Sequence, residues 1–462
     1  MRLLEQFDQE AFELAGQELH GFAAELYPIC RSITGDGVRR TLARIQKLIP
    51  LEISEVPSGT QVFDWIVPEE WNIRDAYIRL TGGERVVDFR RCNLHVMNYS
   101  VPVHTVMPLS ALKPHLFTMP DHPDWIPYRT SYYERNWGFC LTHRQMSQLH
   151  DGNYEVCIDS TLENGHLTYG ECYLPGDSTD EVLISCHVCH PALANDNLSG
   201  LAVATFLARF LSQRDLRYSY RLLFIPGTIG AITWLARNRD TVGRIRHGLV
   251  LTCVGDPSGF HYKKSRQGNA EIDRAATHVL GHCGESFEIV EFSPYGYDER
   301  QYCSPGFNLP VGCLMRSVWG AFPEYHTSAD NLEFIDPLQL SRSLRICVAI
   351  LDVLENNRRY QNLNPYCEPQ LGRRNLYRST GSDSIAAEIS ARLWVLNLSD
   401  GEQSLLDIAE RSAMPFQAIV EAAELLCQNG LLAALPKNDE QPSDGEELTG
   451  SEGFHGGDKF SA

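Results

Sequence analysis

The sequence contains no apolar run of the roughly 20 residues that a membrane-spanning helix needs, so we expect no membrane partner. The first residues also lack the long apolar core of a secretory signal peptide. Together these absences lead us to expect a cytoplasmic protein. In that reducing compartment the fourteen cysteines should be mostly free, buried thiols.

Basic residues are scarce as well. The chain has 40 lysines and arginines against 59 aspartates and glutamates, which gives a formal net charge of −19. This balance would repel a phosphate backbone, so we expect no nucleic-acid partner. With 462 residues the chain is also too long for one small core, and two or three domains are expected.

Strand-like and helix-like runs alternate from about residue 150 to residue 358. Strands are predicted at Tyr154–Ile158, Val182–Ser185, Arg221–Ile225, Leu249–Val254, Phe287–Val290 and Val311–Met315. Helices are predicted at Ser199–Ser212, Ala231–Asn238, Glu271–His282 and Pro337–Asn356. The alternation is typical of an α/β fold with a mostly parallel sheet covered by helices. Helical runs near the N-terminus should join this layer, so the α/β domain is predicted to comprise 1–50 and 113–360.

Three other regions differ from this alternation. Short alternating runs separated by turn residues predict a small inserted β domain at 51–112. Three short helical runs followed by a hairpin-like run predict a winged-helix domain at 370–436. This domain has more acidic than basic residues, so protein contact or packing is favoured over DNA binding. The polar, glycine-rich tail at 438–462 is predicted to be disordered.

Metal-type ligands follow one of the predicted strands. The apolar run Val182–Ile184 leads to His187, and Asp196 stands at the start of a helical run. In open α/β sheets, sites form at the carboxyl ends of the strands. A second His/Asp group far downstream contains His326. Because zinc accepts imidazole nitrogens and carboxylate oxygens, we predict a metal site formed by His187, Asp196 and His326.

Two other interpretations of these residues stay open. Taken singly, each of them could be an ordinary hydrogen-bonded loop residue. The run Cys186–His190 also matches the C-x-x-C-H pattern of covalent haem attachment, but that chemistry needs an exported chain. The same run sits between a predicted strand and an acid-bearing helix start, which favours the metal site.

A polar segment, Asp298–Tyr302, lies between two predicted strands. Long polar loops in compact domains are often functional. Arg300 could grip a substrate carboxylate, and Asp298 or Glu299 could bind a free amine. Tyr302 completes the predicted substrate contacts. An internally hydrogen-bonded loop is the alternative.

The segments 194–200 and 325–331 resemble the co-catalytic zinc aminopeptidase superfamily. The segments 28–35, 123–133 and 298–306 resemble, more closely, a bacterial group of aminopeptidase-like proteins within it. The resemblance implies a three-layer α/β/α core, an inserted small β domain and a C-terminal winged helix. It also implies one or two zinc ions and a further metal-binding aspartate. That aspartate aligns near Thr252 or, one turn on, at Asp256, and we favour Asp256 because it follows an apolar strand. The implied substrate is a small amine-bearing peptide or amino-acid conjugate.

The resemblance breaks at the end of the next strand. In these enzymes that strand ends in two glutamates, a general base and a metal ligand, but this chain has Gly227 and Thr228 there. Neither side chain accepts a proton near neutral pH. We therefore predict a weakened hydrolase in which Glu324 or Glu299 is the catalytic base.

A pseudoenzyme is the alternative to this weakened hydrolase. It would bind metal without catalysis and would recognise a ligand or act as a scaffold. Some members of the group are found beside surface-polysaccharide biosynthesis functions, which favours that setting for such a role. The expected partners are a small-molecule or short-peptide substrate, together with a second copy of the chain or another protein at the winged helix.

Overall fold

The computed structural model describes Leu3, residues 9–376 and residues 383–435. The chain divides into two compact units, Met1–Asn357 with Ala413–Gln417 and Arg358–Ser412 with Ala418–Ala462. The tail predicted to be disordered, 438–462, lies outside the described residues. None of the described helices is both long and apolar enough to span a bilayer. All fourteen cysteines are free thiols.

The strands of the described residues are numbered in chain order. They are β1 (Glu52–Pro57), β2 (Gln61–Val62), β3 (Trp65–Ile66), β4 (Glu70–Leu80), β5 (Arg85–Asp88), β6 (Val103–Pro108), β7 (Leu116–Phe117), β8 (Phe139–Cys140), β9 (Asn153–Glu163), β10 (His166–Leu174), β11 (Glu181–His187), β12 (Ser219–Ile225), β13 (Ile245–Leu251), β14 (Phe260–Lys263), β15 (Phe287–Val290), β16 (Val311–Met315), β17 (Arg359–Asn362), β18 (Asp400–Ser404) and β19 (Leu432–Ala434).

The α-helices are numbered in the same way. They are α1 (Gln9–Leu26), α2 (Asp36–Ile45), α3 (Leu109–Leu112), α4 (His143–Ser147), α5 (Gly200–Leu211), α6 (Ile229–Arg237), α7 (Glu271–His282), α8 (Glu299–Tyr302), α9 (Pro337–Asn356), α10 (Asp383–Leu398), α11 (Leu405–Ser412) and α12 (Phe416–Gln428). The bounds predicted for α7 and α9 are confirmed.

The main sheet of the larger unit has eight strands in the order β1-β10-β12-β11-β13-β16-β14-β15. Its central strand β11 is parallel to both of its neighbours, β12 and β13, and β13 is parallel to β16. Antiparallel pairing occurs towards the edges, at β1, β10 and β14. Every residue of β11 is buried, which is typical of a strand covered on both faces. The predicted mostly parallel α/β fold is therefore confirmed.

A separate antiparallel sheet contains β5, β4, β9 and β6, in that order. The predicted strand Tyr154–Ile158 lies in β9 and belongs to this small sheet rather than the main one. Its burial alternates, with Tyr154, Val156 and Ile158 inside, as expected for a sheet with one solvated face. Conversely, β1 pairs with β10 of the main sheet, so the two sheets do not follow the predicted boundaries 51–112.

Helix α5 positions the predicted metal site because it begins directly after the loop that carries Asp196. Eleven of its twelve residues are buried, and it packs against β11, α1 and α9. Helix α9 is fixed at its start by Asp336, whose Oδ1 accepts the backbone N–H groups of Leu338 and Gln339. Pro337 occupies the first helical position, where the missing N–H costs no hydrogen bond.

The smaller unit combines α10, α11 and α12 with the three-stranded sheet β18-β17-β19. The sequence predicts three helices followed by a hairpin. In the structure β17 precedes the helices, β18 lies between α10 and α11, and β19 follows α12. Strand β17 pairs with both β18 and β19. Its short polar run, 359–362, has no alternation that would have predicted a strand.

Candidate metal centre

Strand β11 ends at His187, beside the end of β12, where Ile225 is its register partner. The side chain of His187 is buried, and its Nε2 lies 2.8 Å from Oδ1 of Asp196. The second oxygen of Asp196, Oδ2, lies 3.0 Å from Nε2 of His326. The structure thus brings together the three residues predicted as ligands, with one carboxylate between two imidazoles.

A third imidazole, His190, belongs to the same cluster. Its Nε2 lies 3.8 Å from Oδ2 of Asp196, and the ligand atoms of His187, His190 and Asp196 all lie within 4.8 Å of one another. Burial lowers the pKa of His190 to about 3, so its ring is neutral and has a free nitrogen lone pair. The sequence contained the signal, an H-x-x-H spacing at a strand end, but it was interpreted only within the C-x-x-C-H pattern.

A buried arginine fixes the loop that carries His190. Arg31 donates from Nε to the carbonyl oxygen of His190 and from Nη2 to that of Pro191, at 2.7 Å each. Its Nη1 donates to the carbonyl oxygen of Leu26, at the end of α1. These three hydrogen bonds hold the His190 loop to the end of α1.

The Asp196 loop is held by a second aspartate. Asp330 accepts the backbone N–H of Asn195 at Oδ1 (2.5 Å) and that of Asp196 at Oδ2 (2.9 Å). Burial raises the pKa of Asp330 to about 8, although the two N–H groups lower it. Burial also acts to raise the pKa of Asp196, but the adjoining imidazoles of His190, His187 and His326 hold it well below its usual range. Asp196 is therefore ionised, as a metal ligand must be.

The predicted ligand Asp256 has a different place. Its carboxylate is fully buried and accepts hydrogen bonds from Asn195 Nδ2 and Ser317 Oγ, both at 2.8 Å, and from the backbone N–H of Ser258 at 2.9 Å. Asn195 precedes Asp196, so Asp256 supports the loop that presents this ligand. Among the described residues, no contact joins the Asp256 carboxylate to His187, Asp196 or His326.

Glycine is required at position 200, where the Asp196 loop meets α5. A Cβ there would lie 2.3 Å from Oδ1 of Asn197 and 2.7 Å from the carbonyl oxygen of Leu251. Asn197 uses this space to donate from Nδ2 to the same Leu251 oxygen, at 3.0 Å. The close approach ties the loop to the end of β13.

Tyrosine rings line the cluster. Tyr297 stacks on His187 with ring centroids 4.6 Å apart, and Tyr325 stacks on His326 at 3.9 Å. The two phenol oxygens lie 3.0 Å apart. Tyr128 meets the edges of His190 and His326 at 5.3 and 5.1 Å. These rings restrict the rotation of the imidazoles, and sequence patterns gave no sign of their position.

The donor set fits zinc. His187, His190 and His326 offer imidazole nitrogens, and Asp196 offers an ionised carboxylate, which are the nitrogen and oxygen ligands that zinc accepts. Both oxygens of Asp196 face imidazoles, so this carboxylate could serve one ion or bridge two.

The end of strand β12 carries no ligand. A Cβ at Gly227 would lie 3.2 Å from the Cβ of His187, so this position adjoins the cluster. The same Cβ would lie 3.7 Å from each carboxylate oxygen of Asp298. Asp298 is buried, and neither of its oxygens has a hydrogen-bond donor among the described residues. Burial raises the pKa of Asp298 to about 7, with His187 and Arg300 lowering it and Glu299 raising it.

Within the segment Asp298–Tyr302, Asp298 is the residue whose carboxylate adjoins the cluster. Glu299 is fully buried and its Oε1 lies 2.9 Å from Nζ of the equally buried Lys263. Tyr302 is buried in the core, where its hydroxyl lies 2.9 Å from Ser185 Oγ. Arg300 is half-buried, and its Nε has no acceptor among the described residues.

Glu324, the other predicted base, lies in the turn before His326 and is half-buried. Its backbone carbonyl accepts the hydroxyl of Thr327 at 2.8 Å. Among the described residues, no contact joins the Glu324 carboxylate to Asp196 or to the three histidines. The structure therefore gives no support to a catalytic role for this side chain.

Residues 20–357 match a family model described as a domain of unknown function, DUF4910. Residues 358–434 match a model described as a winged helix-turn-helix. The second match confirms the predicted C-terminal winged helix and places its start before the predicted residue 370.

Two relatives come from Clostridium acetobutylicum. One, provisionally named a polysaccharide biosynthesis protein with an aminopeptidase-like domain, is 53% identical over 433 residues, which cover 94% of this chain and 99% of the relative. The other is the crystal structure of a provisionally named peptidase. It is 52% identical, covers 92% of this chain and 98% of its own, and has a TM-score of 0.88.

A zinc aminopeptidase from Bacillus subtilis has the same fold. It is 12% identical, covers 72% of this chain and 94% of its own, and has a TM-score of 0.52. At this identity the similarity concerns the fold alone. It confirms the zinc-aminopeptidase-like α/β architecture predicted from the sequence segments.

Proposed function

We propose that this chain, which belongs to the DUF4910 family, is a zinc-dependent hydrolase of a small amine-bearing peptide or amino-acid conjugate. The observation that carries the proposal is the buried carboxylate of Asp196, which places one oxygen against His187 and the other against His326. A buried carboxylate between two imidazoles is a donor arrangement that suits a divalent cation.

Four side chains would hold the metal: His187, His190, Asp196 and His326. Zinc bound there would polarise a substrate carbonyl and lower the pKa of water. Asp330 and Asp256 hold the Asp196 loop in position through Asn195 and the backbone.

The rings of Tyr128, Tyr297 and Tyr325 pack against the histidines, and the Asp196 carboxylate between them is fully buried. Electrostatic interactions are stronger around a buried carboxylate, because less water is present to screen them. The half-buried Arg300, in the segment next to the cluster, would attract an acidic group of the substrate.

The substrate class is drawn from the chemistry of the site and from one relative. The Clostridium acetobutylicum relative is named for polysaccharide biosynthesis, so we include amino sugars that carry an amino acid on an amide nitrogen. Such a compound is an amino-acid conjugate, and its amide is the same bond that an aminopeptidase cleaves.

A second candidate is a metal-binding pseudoenzyme that recognises a ligand or acts as a scaffold. Gly227 and Thr228 favour it, because a positioned general base contributes about 10²–10⁴-fold to a hydrolytic rate. The winged helix would then provide a contact for another protein or a second copy of the chain. Its acidic balance argues against a nucleic-acid partner.

One experiment separates the two candidates. The purified protein, loaded with zinc and analysed for metal content, is screened on aminoacyl p-nitroanilides and aminoacyl amino sugars beside His326→Ala and Gly227→Glu. The hydrolase proposal expects turnover by the wild type and a loss of about a hundredfold or more in His326→Ala. His104→Ala, which alters a largely exposed histidine of the small sheet, serves as the control and should keep full activity.

Two other outcomes of this experiment also test the hydrolase and pseudoenzyme candidates. If the wild type is inert and Gly227→Glu creates turnover, the protein is a pseudoenzyme that has lost its base. If no divalent cation can be loaded into the wild type, both candidates are wrong.

A further inference from the structure

We infer that Asp298 supplies the carboxylate that position 227 lacks, and that it accepts the proton of the water that attacks the substrate carbonyl. The inference rests on the proposed hydrolase function and names the base of that same site. It differs from the amine-binding role that the sequence suggested for Asp298.

The first support is the position of this carboxylate. Both oxygens of Asp298 lie 3.7 Å from the point where a Cβ of residue 227 would stand. The carboxylate therefore faces Gly227 and lies in the space that a longer side chain would enter from the end of β12. The same Cβ point is 3.2 Å from the Cβ of His187, so this space adjoins the metal cluster.

The second support is the absence of partners. Nearly all buried polar groups in proteins are hydrogen-bonded, and an unpaired buried carboxylate is costly. Asp298 is 1% exposed, yet neither oxygen meets a donor among the described residues. Water or substrate entering the space beside Gly227 would provide the missing donor.

The third support comes from the other carboxylates around the cluster. Asp256 and Asp330 already accept hydrogen bonds from N–H and O–H donors at both oxygens. Glu299 is paired with the buried Lys263. Asp298 is thus the described carboxylate beside the cluster whose lone pairs on both oxygens are free.

The proton balance of the step is simple. The oxygen of water bonds to the carbonyl carbon while one of its protons moves to Asp298, and the carbonyl π electrons move onto the carbonyl oxygen. The same proton then passes to the amide nitrogen as the C–N bond breaks. The products are a carboxylic acid and an amine, and Asp298 returns to its carboxylate form.

The kinetic test uses Asp298→Asn, which keeps the shape and removes the base. We expect kcat to fall by about 10²–10⁴-fold with little change in KM and unchanged zinc content. Adding Gly227→Glu should raise kcat at least about tenfold above that of Asp298→Asn alone, because the glutamate enters the same space. Gly227→Gln in the same background is the matched control and should restore nothing.

A rise in KM with unchanged kcat in Asp298→Asn would show that Asp298 binds the amine instead. A loss of zinc in this variant would show a role in holding the metal. Either result overturns the inference.

A binding measurement does not depend on turnover. Acetohydroxamic acid binds zinc and carries an acidic N–OH proton that a neighbouring carboxylate can accept, whereas azide carries none. Calorimetry on zinc-loaded protein measures the affinity of both ligands. Asp298→Asn should lower the affinity for acetohydroxamic acid about tenfold or more and should leave the affinity for azide unchanged. Equal weakening of both ligands, or of neither, contradicts the inference.

The experiments distinguish failure of the hydrolase proposal from failure of the inference about Asp298. If the wild type hydrolyses nothing but the two ligands respond to Asp298→Asn as expected, the hydrolase proposal is wrong and the placement of the carboxylate stands. If the wild type hydrolyses a substrate and Asp298→Asn leaves kcat unchanged, the hydrolase proposal stands and Asp298 is not its base.

Discussion

Strands β11 and β12 are parallel neighbours whose ends lie side by side, but their ends carry opposite chemistry. β11 ends at His187, and the loop after it adds His190 and Asp196. β12 is followed by Pro226, Gly227 and Thr228, which offer no imidazole and no carboxylate. One strand end can therefore carry the metal ligands while another segment supplies the carboxylate that the next strand end lacks.

The two ends also differ in how they are supported. The β11 loop is held by side chains from distant segments, including Arg31, Asp256 and Asp330. The β12 end is met by a single carboxylate, Asp298, that has no hydrogen-bond donor among the described residues. A well-supported end is suited to binding a cation, whereas an unsupported carboxylate is suited to exchanging a proton.

The variant with the greatest expected change in zinc affinity removes the carboxylate at the β11 end. In Asp196→Asn the carboxylate shared by His187 and His326 is lost, and zinc affinity should fall by at least about a hundredfold, because loss of an outer-shell partner alone costs about 10–100-fold. Competition with a chelator measures it. Asp159→Asn, at an exposed ion pair of the small sheet, should bind zinc like the wild type. Equal affinity in all three proteins would remove the metal site from this loop.

The next effect tests the support of the β11 loop. In Asp330→Asn one backbone N–H of the pair Asn195 and Asp196 faces an NH₂ group instead of an oxygen. Zinc affinity should fall by about 10–100-fold, as is usual for groups that orient a ligand. The control is Asp336→Asn, since asparagine caps a helix about as well as aspartate. A zinc affinity within twofold of the wild type would show that the loop keeps its shape without Asp330.

The third effect concerns the β12 end and depends on pH. The pKa of Asp298 is raised from 3.8 to about 7 in the folded protein, so folding takes up a proton between these values and rising pH destabilises the fold. The free energy of unfolding of metal-free wild type, relative to Asp298→Asn, should fall by up to about 1.4 kcal/mol per pH unit in this window. Above about pH 7 the difference should level off.

Urea unfolding in EDTA at pH 5, 6, 7 and 8 measures this difference. Asp330 titrates in both proteins, so its contribution cancels. Parallel stability curves for the two proteins across this range would show that Asp298 is not held in a desolvated position.

Part of this site could be predicted from the sequence because the signals were local. His187 follows an apolar strand, Asp196 precedes a helical run, and His326 lies in a second His/Asp group. The bounds of α7 and α9 followed from the helical spacing of their apolar residues. Local spacing fixes the type of element and the position of a ligand at its end.

The rest depended on contacts between distant residues. The nearness of Asp298 to Gly227 follows from packing of a loop against the next strand end, and no sequence period encodes it. Likewise, Glu299 is neutralised by Lys263. The alternating pattern of β9 predicted a strand but could not show which sheet it joins.

The linked phenol groups of Tyr297 and Tyr325 have a consequence for observing this site. Each ring stacks on a different histidine of the cluster, and the two hydroxyl groups are hydrogen-bonded to each other. A cation entering between the imidazoles would therefore alter the asymmetric environment of two coupled chromophores at once. The protein carries its own optical reporter of ligation, visible by near-ultraviolet circular dichroism without any label.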